Sequence, residues 1–314
     1  MVVQLFPPRH VYFPSTPVHT CTVILLHDTN STGAELAAAL APSTATAGKS
    51  IFEHFPSCRW VFPSAQPRQT DTCHASPGNW IDIDAVANAD ADADAVSPQQ
   101  AHPSPSAKDK DEGEDEDEEL EACVEYILQI VEEEVGRLAG DSRRVVLGGF
   151  GQGMAVAVAT LIAARRRLGG FVGVSGWVPV PLAVRIEGLG GRGRLAEDEA
   201  RMGGSEGLSE EDGVEVDAEA EKVGLSSALQ DGSAGSVFET PVLLTYVEDD
   251  PYVDIRTGLM AYETLSRLGF VKVVWDPRPG PQQGENWLLD SSQVDTIVDF
   301  LAEVFGHEGQ HLYS

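Results

Sequence analysis

A chain of 314 residues that is 42% hydrophobic carries enough apolar material for a substantial core once its biased stretches are set aside. Its formal net charge of -29 at pH 7 argues against nucleic acid and anionic membrane as partners, because both demand a basic surface. Cys21, Cys58, Cys73 and Cys123 form no C-x-x-C pair, Met1 to Pro8 contains no apolar h-region, and no apolar run is long enough to span a bilayer. A disulfide framework, a zinc site, a signal peptide and a transmembrane segment are therefore not expected, and a reducing, cytoplasmic setting is.

From the N-terminus, Val11-Tyr12-Phe13 is a short strand candidate, and Thr22 to Leu26 is an apolar run that ends in the polar segment His27 to Gly33. A buried strand that empties into a polar loop and then a helix, Ala34 to Ala41, puts that loop at the carboxyl edge of a parallel sheet, where ligand sites of α/β proteins lie. His27 reads either as a base or as a structural residue capping a core strand. Arg59 to Pro63 is the next strand, followed by an irregular stretch to Gly78-Asn79-Trp80-Ile81-Asp82-Ile83. Trp80 reads as a pocket-lining residue or as ordinary core.

Residues 84 to 119 alternate Ala and Asp, then turn to Pro and Ser, then become almost wholly acidic, a composition too poor in apolar groups to offset its ordering entropy. A disordered acidic insertion is expected there. Asp90, Asp92 and Asp94 suggest a calcium loop, but Ala95 and Ala101 stand where its glycine and bidentate glutamate belong, so no metal is expected. Leu120, Cys123, Val124, Ile127, Ile130, Val131, Val135 and Leu138 then recur at helical spacing, and Gly140 ends that helix.

Val145-Val146-Leu147 is a short buried strand, glycines dominate the next residues, and an alanine-rich helical pattern starts at Met154. Strand, sharp turn, helix is the nucleophile-elbow layout, in which G-x-S-x-G lifts a serine above the sheet. Here the motif is Gly149-Phe150-Gly151-Gln152-Gly153, with Gly151 where the serine would stand. On this stretch alone, a glycine-rich βα turn unrelated to any active site is the competing reading.

Phe171 to Ser175 is a further strand, and residues 185 to 237 form a second expected disordered insertion rich in Gly and Glu. A strand at Pro241 to Tyr246 precedes Asp250, which sits where an orienting carboxylate belongs in the chain order nucleophile, acid, base. A helix (Ile255 to Leu268), a strand (Phe270 to Trp275), the loop Pro277 to Ser292 and a helix (Val294 to Phe305) complete the alternation. The loop that should hold the base contains no histidine.

Five motifs in order, Leu26-His27, Gly78 to Ile83, Leu147 to Gly153, Val174 to Pro179 and Asp250 to Val253, give a chain that resembles the acyl-protein thioesterase and carboxylesterase family of α/β-hydrolases. The resemblance implies one α/β-hydrolase domain over 1–314, with a mostly parallel sheet, helices on both faces and the two insertions at 84–119 and 185–237. It implies thioester or ester hydrolysis by a Ser-His-Asp triad without cofactor, on a small acyl or ester ligand or an acylated protein. Carried over by position, it places the nucleophile at Gly151, the acid at Asp250, the base at Asn286 or Trp287, and oxyanion amides at Thr29 and Gln152. This chain departs from the family pattern at Gly151, at Asn286-Trp287, at His27-Asp28 in place of His-Gly, and at Tyr246-Val247-Glu248 in place of His-Gly-Asp. The expectation is a non-catalytic acyl- or partner-binding member, set against a hydrolase that uses water on Asp250 or a displaced His27.

Overall fold

The computed structural model describes residues 6–69, 75–76, 78–81, 112–179, 237–250, 252–279 and 289–306. In chain order its elements are β1 (His10–Tyr12), β2 (Cys21–Leu26), α1 (Gly33–Leu40), α2 (Ile51–His54), β3 (Cys58–Phe62), the two-residue strands β4 (Arg68–Gln69) and β5 (Ala75–Ser76), and α3 (Glu112–Arg137). Then follow β6 (Val145–Phe150), α4 (Gln152–Ala163), β7 (Gly170–Val174), β8 (Val242–Val247), α5 (Ile255–Arg267), β9 (Val273–Arg278) and α6 (Ser291–Phe305).

Seven strands form one sheet in the order β1-β3-β2-β6-β7-β8-β9. Only β1 runs antiparallel to its neighbour. Parallel strands are covered on both faces, which is why β2, β6, β7 and β8 are buried along their whole length and read as continuous apolar runs. Alternation divides them between two layers. Ile24, Leu26, Leu147 and Leu244 pack with α3, α4 and α5, while Val23, Leu25, Val146 and Leu243 pack with α1 and α6. The stripe from Cys123 to Leu138 is buried as its spacing predicts.

Most boundaries differ from the sequence expectation by a residue or two, and four differences are instructive. Helix α3 starts at Glu112, so 112–119 is helical rather than part of a disordered insertion; acidic residues in a helix's first turns are favoured by the positive end of its dipole. The second insertion reaches too far by one residue, since Val237 is buried. The last strand is Val273–Arg278, not Phe270 to Trp275. Its Pro277 is tolerated because β9 is an edge strand. Helix α6 begins at Ser291, three residues early, because Asp290 and Gln293 form a capping box. The remainder of both proposed insertions lies outside the described residues.

Candidate functional site

Strand order reverses between β2 and β6: β3 lies outward of one, β7 outward of the other. Ligand sites of open α/β sheets form outside the carboxyl ends of the strands at such a switch point. Leu26 pairs with Gly149 at the end of that ladder. Asp28 and Gly151 therefore leave the sheet side by side, each two residues past that pair.

The turn at Gly151 is sharp. Its φ of 50° and ψ of -119° lie in a region that costs an L side chain of order 1–3 kcal/mol. Its N–H donates to Val174 O at 3.0 Å, and α4 begins at the next residue. Gly153, in the first turn of that helix, crosses β2 so closely that an added Cβ would stand 2.7 Å from Leu26 O. The elbow is thus pinned against both neighbouring strands.

Above Gly151 lies a carboxylate. A Cβ built on Gly151 would fall within the van der Waals radii of Asp28 Cγ and both of its carboxylate oxygens. Asp28 Oδ1 accepts two main-chain hydrogen bonds, from Thr29 N–H at 2.7 Å and Gln152 N–H at 2.9 Å. Two convergent amides on one oxygen form the arrangement that stabilises an oxyanion. Here their acceptor comes from the chain itself. Gly151 offers α4 no side-chain cap, so Asp28 also supplies the negative group favoured at a helix N-terminus.

His27 is fully buried and committed at both ring nitrogens. Nε2 accepts from Ala65 N–H at 3.0 Å, which assigns the proton to Nδ1, 2.6 Å from Asp28 O. Burial holds its pKa below the ordinary histidine value, against weaker upward pulls from the Asp28 carbonyl and carboxylate. It serves as a post between two loops. Trp80 is likewise a strut: only 2% exposed, it donates from Nε1 to His27 O at 2.8 Å and from its main chain to Gln152 Oε1 at 2.7 Å. Trp80 packs in the core and, among the described residues, lines a cavity of about 100 Å³ with Gln66, Asn79 and Cys123. Gln152 closes the network by donating from Nε2 to Ile81 O at 2.6 Å.

Asp250 follows β8 at the same edge of the sheet and is partly buried. Its Oδ1 accepts from Tyr252 N–H at 2.8 Å and Val253 N–H at 3.1 Å, so the carboxylate caps its own turn. Asn286 and Trp287 lie outside the described residues. Two residues that the sequence reading did not single out matter here. Asp28 was visible only as a departure from His-Gly. Tyr246 is buried, donates its hydroxyl to Gly176 O at 2.7 Å, and thereby ties the loop after β7 to β8. Burial raises its pKa far above the usual tyrosine range.

A family model for phospholipases and carboxylesterases matches residues 106–187, which include the elbow. Acyl-protein thioesterase 1 of Yarrowia lipolytica is 31% identical over 177 residues, and acyl-protein thioesterase 1 of Cryptococcus neoformans is 27% identical over 174. Over part of its length, the chain is similar in sequence to the phospholipase/carboxylesterase family. These alignments take in 55% of this chain; it spans 64% of the length of the Yarrowia relative and 60% of that of the Cryptococcus one. Among solved structures, Zea mays acyl-protein thioesterase 2 superposes with a TM-score of 0.55 at 16% identity, over 96% of this chain and all of that one. Arabidopsis thaliana SOBER1 gives 0.54 at 16% identity, over 91% of this chain and 99% of its own. Both are likenesses of fold. No helix among the described residues is long and apolar enough to cross a membrane.

Proposed function

We propose that this chain is a non-catalytic member of its family, which works by binding an acyl-bearing molecule or a partner protein instead of hydrolysing an ester or thioester. In this reading Gly151 holds the nucleophile position, Asp250 the acid position, Asn286 or Trp287 the base position, and the amides of Thr29 and Gln152 the oxyanion seat. The observation that carries it is the elbow itself: Gly151 has no side chain, and the space a nucleophile would need is filled by the Asp28 carboxylate. Support also comes from His27, next to Asp28 in the chain. A base needs a free nitrogen aimed at the reacting group, and both nitrogens of His27 are bonded to main chain. Triad members act as a unit, and binding alone leaves a residual acceleration of about 10³–10⁴ over water. A cytoplasmic setting fits the same reading.

The test is direct. Purified protein should show no p-nitrophenyl butyrate turnover above buffer and no covalent labelling by a fluorophosphonate, a reagent that requires an activated serine. Turnover that survives repurification, or stoichiometric labelling, would overturn the reading.

A further inference from the structure

The two amides at the elbow are not waiting for a ligand. Thr29 N–H and Gln152 N–H both point at Asp28 Oδ1, at distances normal for charge-assisted bonds. An acyl carbonyl or carboxylate brought to this place would find both of these amides already taken, and it would meet a negative charge. Among the described residues none donates to the other oxygen, Oδ2, which also lies over Gly151. Asp28 and Thr29 are partly exposed, so solvent reaches this face of the site.

We propose that Asp28 is a built-in occupant of the oxyanion seat and that it reverses the polarity of the elbow. In place of an acyl oxygen, the site takes a hydrogen-bond-donating cation, an alkylammonium group, on Asp28 Oδ2. The inference rests on the non-hydrolytic reading above. It also narrows that reading: any acyl ligand would be held by its chain or by a basic headgroup, not by its carbonyl. Three features act together. Oδ1 is anchored by two main-chain donors, so the carboxylate is preorganised and loses little freedom when it binds. The glycine beneath it leaves room for the carboxylate where any side chain would clash. The charge is held off the sheet at a switch point, the place where ligands of open α/β sheets bind.

The experiment follows the main-chain amide signals of Thr29 and Gln152 by NMR in the full-length chain. n-Butylammonium and butyrate are titrated separately at constant ionic strength and pH 7. Butylammonium should shift both signals saturably in the wild type, and butyrate should leave them in place. Asp28→Asn keeps the shape and removes the charge, and should weaken the butylammonium response about tenfold or more. Asp28→Ala frees the amides, and both signals should then respond to butyrate. Because the chain is strongly acidic throughout, a butylammonium response that Asp28→Asn leaves unchanged would mark diffuse charge screening and overturn the proposal. A wild type that answers butyrate as strongly as butylammonium, or answers neither, would also overturn it. The isosteric Asn variant keeps the test valid should the Ala variant fail to fold. Hydrolysis of methyl butyrate is measured on the same wild-type sample, so that turnover would refute the non-hydrolytic reading separately from the polarity of the seat.

Discussion

Restoring the serine, Gly151→Ser, perturbs this site in two ways whose sizes can be worked out. The side chain must accept φ 50° and ψ -119°, at about 1–3 kcal/mol. It must also expel the Asp28 carboxylate, because the new Cβ and that group cannot share the space. Expulsion breaks the bonds to Thr29 and Gln152. Hydrogen bonds to charged groups are worth about 1.5–3 kcal/mol each, and with water replacing part of that the net loss is about 2–3 kcal/mol. The total is about 3–6 kcal/mol, or a fall in Tm of about 6–24 °C at the sensitivity usual for domains of this size. In an Asp28→Ala background only the strain remains, so the serine should cost about 1–3 kcal/mol there. Thermal and urea unfolding of wild type, both single variants and the double variant read the coupling as a double-mutant cycle. A serine that costs the same with and without Asp28, or a single variant as stable as wild type, would refute the steric and hydrogen-bond argument. Hydrolysis should not return in any of the four proteins, since the hydroxyl would still lack a base.

Two further outcomes follow from buried ionisable groups. Because folding lowers the pKa of His27, its neutral form contributes stability that is complete above the unfolded value of about 6.5 and is lost as pH falls below it. Subtracting the stability of His27→Gln from that of wild type, by urea unfolding between pH 7.5 and 5, should give a difference that shrinks steadily towards the acid end; a flat difference would refute this. Glu134, fully buried, receives Arg59 Nε at 3.1 Å and the Thr22 hydroxyl at 3.1 Å. Glu134→Ala should therefore cost about 3–5 kcal/mol by the same unfolding assay, because it strands a largely buried guanidinium.

How far the sequence carries the reader depends on whether a signal is local. Continuous apolar runs such as Thr22 to Leu26 and Pro241 to Tyr246 are legible because burial on both faces of a parallel sheet leaves little room for polar residues. The elbow is legible because strand, glycines and helix are contiguous. Helix α2 leaves only a short signature in the sequence: Ser50 and Glu53 form a capping box, and its four residues are too few for a periodicity to show. The acidic start of α3 was read as disorder because composition says nothing about which end of a helix a charge will occupy. Asp28 was the hardest to read, since its meaning depends on the pairing of β2 with β6, two segments more than a hundred residues apart.

That pairing explains why one substitution can change what the site is for. A preorganised pair of N–H groups accelerates acyl transfer only if its interaction with oxygen is stronger in the transition state than in the ground state. A substrate carbonyl brings a nearly neutral oxygen that becomes anionic as the bond forms, and the difference appears as rate. Asp28 brings a permanent anion on a tether one residue from the donor Thr29. On the non-catalytic reading proposed above, the same two hydrogen bonds are complete in the resting protein and leave no such difference for catalysis. What remains is stability of the resting state: a capped α4, a fixed loop after β2 and a settled elbow. On that reading, serine at 151 and histidine at 286 or 287 would leave this third obstacle standing, so a hydrolytic design on this scaffold must remove the carboxylate from position 28 before the other two changes can act.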